Sequence, residues 1–370
     1  MRMKQEKLQQ GLTLALLGLV GLGLAVWAWL RPADTLSISE RRKLAQKPAL
    51  SVQSVQSGQW MQKFESYSLD QFPLRDTLRG LKAAVQLGVF CQKDNNGVYL
   101  QNDYASKLDY PLHTDSVERA ADKFLQLQKT YLEGKAGHVY YALVPDKNYF
   151  MAPAGGYPAL DYEKLAQIMR QKLSPGMTEI DLFGTLSLDC YYRTDPHWRQ
   201  EALVPTAQYL AGQMGVSLGD DYSKTTLQRP YYGLYYGYAA LPMQPDALTY
   251  LTSARMADYT VTNYESGRQS PVYDLDKAAG NDLYEVFLSG PVSLLTIQNP
   301  NARSNRELVI FRDSFGSSLA PLLAEGYSEI TLVDIRYLPS ARVGQFVDFT
   351  GKDVLFLYST QVLNNSEALK

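Results

Sequence analysis

The chain has 370 residues, 45% of them hydrophobic and 20% charged, which provides for one large folded domain or two modest ones and excludes a disordered chain or a coiled coil. Lys and Arg number 36 against 38 Asp and Glu, a net charge of -2, so no basic footprint marks a nucleic-acid binder. Tyrosine is the compositional outlier, at 27 against 12 Phe and 4 Trp.

Residues Gly11 to Leu30 are twenty consecutive positions without a charge, the ~20 that a helix needs to cross a bilayer. Arg2, Lys4 and Lys7 precede the run, and the excess of positive charge keeps that end in the cytoplasm. A cleaved signal peptide competes with this view, but its apolar core spans only ~7–15 residues and ends at a small-residue site. Here the run ends in Trp27-Ala-Trp29-Leu-Arg-Pro, which favours an uncleaved anchor. The expected location is the cell membrane, single-pass, with the C-terminal domain extracellular or periplasmic. Residues 1–31 carry +3 (Arg2, Lys4, Lys7 and Arg31 against Glu6), leaving -5 for the remainder.

Arg31 to Gln59 is polar and reads as a spacer between domain and lipid. Met61 to Leu87 has helical spacing interrupted by Pro73, which predicts two short helices meeting near Phe72-Pro73. Val117 to Leu132 predicts another helix. His138 to Val144 is a continuous apolar run ended by Pro145, as in a buried strand of a parallel sheet. A helix over Tyr162–Leu173, a short strand over Glu179–Phe183 and a helix over about Arg199 to Met214 follow. Residues 217–305 hold 11 tyrosines between Tyr222 and Tyr284 and read as an irregular β insertion. Beyond it, strands at Leu308–Phe311, Glu329–Val333 and Val354–Tyr358 alternate with a helix at Gly316–Ala324. Strands alternating with helices predict a three-layer α/β domain with a mostly parallel sheet. The predicted organisation is a cytoplasmic tail over 1–10, an anchor over 11–30, linker and helices over 31–88, and the α/β domain over 89–370.

Cys91 and Cys190 are the two cysteines. Their number and spacing establish neither a disulfide nor a zinc site, and both read as core residues. No cofactor is expected. A histidine base must come from His113, His138 or His197. His138 reads as a packed residue at a strand mouth and His113 as solvated. His197 lies in Arg193-Thr-Asp-Pro-His-Trp198, on a loop before a helix, where parallel-sheet proteins build their sites. Asp195, two residues earlier, reaches the same side of an extended backbone and is placed to fix the imidazole tautomer. Alternatively Asp195 caps a helix and His197 only packs. Asp313-Ser314 follows an apolar strand and opens a helix, where the helix N-terminus favours an oxyanion; both residues also serve as ordinary helix caps. The G-x-S-x-G elbow is absent.

At these residues the sequence resembles the DHHW family and the alginate O-acetyltransferase group (AlgX/AlgJ-like), whose members have an SGNH-hydrolase-like fold. Thr-Asp195-Pro-His197-Trp198 matches the Asp-His-His-Trp signature and Asp313-Ser314-Phe315 the nucleophile block. Similarity also runs through Ser39 to Ala45, Phe72 to Asp76, Val144 to Lys147 and Leu332 to Arg336. Pro196 replaces the first signature histidine, and Arg312 the glycine usual before Asp-Ser.

The resemblance implies a membrane-anchored O-acetyltransferase acting on a polysaccharide, with Ser314 as nucleophile, His197 as base and Asp195 as its orienter. It implies a membrane-bound O-acyltransferase as acetyl donor, because acetyl-CoA is not expected outside the cytoplasm. Arg336 and Arg312 are candidates for an oxyanion or an acidic sugar, Asn364 is a candidate donor, and Tyr235 lies among tyrosines suited to stacking on sugar rings. Two alternatives stay open: a carbohydrate acetyl-esterase, and a non-catalytic polysaccharide-binding protein on the same scaffold.

Overall fold

The computed structural model describes residues 2–370; the side chains of residues 1–8, which carry the charge argument for orientation and most of the expected tail, lie outside the described set. Contacts divide the chain into two compact units, Met1–Gln92 with Ala240–Pro242, and Lys93–Ala239 with Met243–Lys370.

In the first unit, helix α1 spans Arg2–Leu30, and its segment Gln9–Leu30 is long and apolar enough to cross a membrane. Helices α2 (Gln59–Asp70) and α3 (Arg75–Gly88) meet at Phe72-Pro73, since a proline lacks the amide proton and pushes its predecessor out of helical geometry. The 31–59 stretch is more than a spacer. Leu36–Ser37 pairs with Arg42–Lys43 as a small hairpin. Arg42 bonds Asp70 at 2.5 Å, Arg75 bonds Glu40 at 2.7 Å and the Ser39 hydroxyl donates to Asp76 at 3.0 Å. The two sequence blocks Ser39–Ala45 and Phe72–Asp76 are thus halves of one ion-paired clamp.

The second unit is built on an eight-stranded sheet. Its strands in chain order are β1 (Val139–Val144), β2 (Thr178–Glu179), β3 (Thr260–Asn263), β4 (Arg268–Ser270), β5 (Leu294–Gln298), β6 (Glu307–Arg312), β7 (Glu329–Val333) and β8 (Asp353–Ser359). They lie in the order β4-β3-β5-β7-β6-β8-β1-β2. The five strands from β7 to β2 are parallel, and β5, β3 and β4 add an antiparallel edge. The architecture is mixed α/β with a large, mostly parallel sheet.

Alternation along each strand feeds two cores. Tyr140, Ala142, Leu308, Ile310, Leu355 and Leu357 face one side, where Leu210 and Leu319 cover them. Tyr141, Leu143, Val309, Phe311, Val354 and Phe356 face the other, under Phe124, Leu165 and Met169. The covering helices are α4 (Thr114–Leu127), α6 (Tyr162–Leu173), α7 (Val204–Gln213) and α9 (Gly316–Leu323). Two further helices, α5 (Lys147–Gly155) and α8 (Leu234–Ala239), stand beside the site described below.

The structure adjusts several expectations. The predicted strand over Glu179–Phe183 pairs only at Thr178–Glu179, and Phe183 already starts a tight helical turn. The 217–305 segment donates β3, β4 and β5 to the main sheet and also forms a separate ribbon, Ser223–Thr226 with Thr249–Thr252. Cys91 is exposed, not core, and both cysteines are free thiols. His138 is not packed, because its side chain is 70% exposed, with Nδ1 3.4 Å from Asp353.

Candidate active site

Strand β6 enters the sheet as a buried apolar run and turns sharply into α9. Asp313 makes that turn rigid: its Oδ1 accepts from the Phe315 amide at 3.0 Å and its Oδ2 from the Ser359 amide at the end of β8, at 2.8 Å. Glycine is needed at the next step, because a Cβ on Gly316 would stand 2.9 Å from that of Arg312. Within this buried stretch, Ser314 alone remains partly open to solvent. Asp313 therefore braces the turn and the neighbouring strand end, and Ser314 is left with a different partner.

That partner comes from the loop between Tyr191 and Trp198, which close on each other as a bridge. The Ser314 hydroxyl lies 2.7 Å from His197 Nε2, and His197 Nδ1 lies 2.6 Å from Asp195 Oδ1. A carboxylate can only accept, so Nδ1 carries the proton and Nε2 is free to accept from the serine. Asp195 is fully buried and His197 13% exposed at its side chain. The remaining capacity of Asp195 is filled by the His197 amide at 3.1 Å and the Leu234 amide at 2.9 Å. The Leu234 amide approaches so closely because residue 233 is glycine, where a Cβ would fall 2.3 Å from that of Asp195.

Around the imidazole the packing is aromatic. Tyr284 stacks on His197 with ring centres 3.9 Å apart and planes at 9°, and Phe315 tilts against it at 5.2 Å. The Tyr284 hydroxyl is anchored on Ser318 at 2.9 Å, and burial pushes its ionisation far up, so it stays a neutral wall. Trp198 donates from Nε1 to the same Ser318 at 2.9 Å. Hydroxyl, imidazole and carboxylate are thereby held in line at the carboxyl end of a central parallel strand. This constellation can deprotonate a nucleophile as it attacks an acyl carbonyl.

The four further candidates divide. Arg312 is fully buried, and its guanidinium reaches Ser317 at 3.2 Å and the Asp313 and Val292 carbonyls at 3.4 Å. Arg336 is held fork-on-fork by Asp334 at 2.6 and 2.9 Å, which raises its ionisation further. Asn364 is not directed at a substrate: its Oδ1 accepts from the His113 amide at 2.7 Å and its Nδ2 protons go to Asp109 and the Pro111 carbonyl. Tyr235 is also no stacking platform, being 3% exposed with its hydroxyl on Gln361. Tyr232 and Tyr238, 42% and 40% exposed, are the open tyrosines of that stretch.

Sequence reasoning missed Tyr284, Gly233, Asp246 and Lys147, which converge on the His197 loop from remote segments. Only Lys147 stood in a block already singled out, Val144 to Lys147. A polar cavity of about 300 Å³ lined by Tyr104, Asp189, Arg193, Arg199, Glu201 and Asp246 opens beside the same loop. A second cavity of about 400 Å³ lies at the β2 edge, and Ser314, His197 and Asp195 line neither of the two.

No protein-family model matches the sequence, and no curated protein does. Solved structures do match. PatB1 of Bacillus cereus, in a structure with a sulfonyl adduct, aligns at TM-score 0.59 and 20% identity over 72% of this chain and 95% of that one. A DHHW family protein from Eubacterium siraeum aligns at TM-score 0.56 and 21% identity over 75% and 95%. The fold is therefore shared with PatB1 and with a DHHW family protein.

Proposed function

We propose that this chain, on the fold it shares with PatB1 and the DHHW family protein, is a membrane-anchored O-acetyltransferase that acts on a polysaccharide outside the cytoplasmic membrane. The observation that carries the reading is the unbroken line from Ser314 through His197 to Asp195, at 2.7 and 2.6 Å. A non-catalytic scaffold has no need of that alignment.

In the proposed cycle Ser314 Oγ attacks the acetyl carbonyl while its proton passes to His197 Nε2. The oxyanion develops beside the Ser314 amide, at the start of α9. Collapse breaks the bond to the leaving group, which takes the proton from His197, and leaves acetyl-Ser314. A sugar hydroxyl then gives its proton to His197 and attacks the acetyl carbon; as the sugar ester forms, the displaced Ser314 Oγ takes that proton back from His197. Asp195 balances the imidazolium in both halves. A membrane-bound O-acyltransferase is the proposed donor, and the cavity beside Arg193 and Arg199 is the proposed seat of the acceptor sugar.

The test treats the full chain in detergent with p-nitrophenyl acetate. Intact mass is expected to show one acetyl group on Ser314, absent from Ser314→Ala and His197→Ala. Failure of the folded parent to acylate sinks the reading. Adding an oligosaccharide then separates transfer from hydrolysis, since a transferase yields acetylated sugar and an esterase free acetate.

A further inference from the structure

We propose that Lys147 and Asp246 are positioning residues that grip the backbone of residues 192–194 from opposite sides and so set Asp195 and His197 in line with Ser314. The inference rests on the acyl-transfer reading for its consequence, but its geometry stands apart from it.

Lys147 opens α5 just beyond the carboxyl end of β1, and its side chain is 1% exposed. Its Nζ donates to the Tyr192 carbonyl at 2.9 Å and the Arg193 carbonyl at 3.0 Å. Asp246 works on the amides of the same stretch. Its Oδ1 accepts from the Arg193 amide at 2.8 Å, and its Oδ2 from the Thr194 amide at 2.8 Å and the Thr194 hydroxyl at 2.5 Å. Ammonium on carbonyls and carboxylate on amides match the direction of the peptide dipoles between them. Asp246 is fixed in turn by a two-way backbone pair with Tyr231 at 2.8 and 2.9 Å. The last carbonyl before Asp195, that of Thr194, is taken by the Tyr235 and Tyr236 amides at 2.9 and 3.1 Å.

Stability alone does not account for this lysine. A buried ammonium is costly, and an apolar side chain of similar volume is often neutral or better in its place. Lys147 instead spends its hydrogen bonds on the peptide units leading into Asp195, with the Tyr235 ring 5.0 Å and the Tyr104 ring 6.0 Å from Nζ. A catalytic carboxylate that shifts by about 1 Å can forfeit about 100-fold in rate, and this grip resists such a shift.

The test uses the full chain in detergent, labelled with ¹⁵N-histidine; the chain has 3 histidines, so His197 is readily assigned. In the parent, the Nδ1 proton held by Asp195 is expected far downfield. In Lys147→Met and in Asp246→Asn it is expected to move upfield or broaden, with the His113 and His138 signals unmoved. In parallel, kcat for acylation by p-nitrophenyl acetate is expected to fall about 100-fold with KM within about threefold. Adding Lys147→Met to Asp195→Asn is expected to cost nothing more. An unmoved His197 signal in either folded variant, or losses that multiply in the double variant, overturns the proposal. The two substitutions sit on separate segments, so misfolding of one leaves the other to decide. A parent that shows the downfield proton yet never acylates refutes the acyl-transfer reading instead, while the comparison of signals still judges the grip.

Discussion

His197 meets an acceptor on one side and a donor on the other, and this asymmetry is what a single substitution at Asp195 reverses. An asparagine in that place can present an N–H to Nδ1, which moves the ring proton to Nε2 and removes the acceptor that Ser314 needs. Asp195→Asn is expected to lower kcat with p-nitrophenyl acetate by about 10⁴-fold, a loss readable by stopped assay against the folded parent. Lys147 supplies a second residue-scale prediction, through pH. Burial lowers its ionisation from 10.5 to about 7. Between those values the unfolded chain binds more protons than the folded one, so stability rises with pH across that window. The cost of burying this amine is full below about pH 7, is relieved step by step as pH rises, and is gone above about 10.5. The melting temperature of the parent, taken relative to Lys147→Met, is expected to climb by ~5 °C between pH 7 and pH 10. A flat difference refutes the lowered ionisation.

The strand–turn–helix unit around Ser314 was readable because each part has a local cause: an apolar run for β6, Asp-Ser for the turn, and a glycine where α9 crowds Arg312. The helix at Tyr162–Leu173 and the strand at Glu329–Val333 have the bounds that periodicity gives them. Polar or broken elements were not readable. The hairpin of Val98–Gln101 with Tyr104–Lys107 shows no clear alternation, and α5 contains Pro153 and ends at Gly155. β3 and β4 are rich in Thr, Asn, Arg and Gln; β3 becomes a strand because β5 offers it an edge, and β4 because β3 does. The same limit applies at the site. Asp-x-His and Asp-Ser announce themselves, whereas Gly233, Asp246 and Tyr284 matter through contacts that no local pattern encodes. Gly233 tests this at the scale of the element: Gly233→Ala puts a Cβ 2.4 Å from the Thr194 carbonyl oxygen. The α8 entry must then retreat and the Leu234 amide leave Asp195. We expect a stability loss of about 1–3 kcal/mol in denaturant unfolding, with kcat down at least tenfold. Parent-like values of both would show that the close approach is dispensable.

Across the whole second unit, β6 stands where the connections part. From β6 the chain runs through α9 to β7, and Leu319 and Leu322 of α9 cover one face of the sheet; from β7 it runs over the other face, through Ile335, Leu338 and Val343, to β8 on the opposite side of β6. Such a switch point leaves a crevice at the carboxyl ends of the strands, and Ser314 occupies that end. The first unit bears on where such chemistry is fed. Among the described residues, the Gln9–Leu30 segment of α1 has no buried share, so its removal uncovers no core. If this segment anchors the chain and the acetyl donor is a membrane protein, as proposed, the segment matters for supply and not for the proposed chemistry at Ser314. Deleting residues 1–30 is therefore expected to release the chain from carbonate-washed membranes, to leave its rate with p-nitrophenyl acetate unchanged, and to abolish acetylation of the cell's own polysaccharide. A deletion variant that acetylates that polysaccharide as well as the parent would mean that the donor is soluble, and the proposed membrane partner would have to be given up.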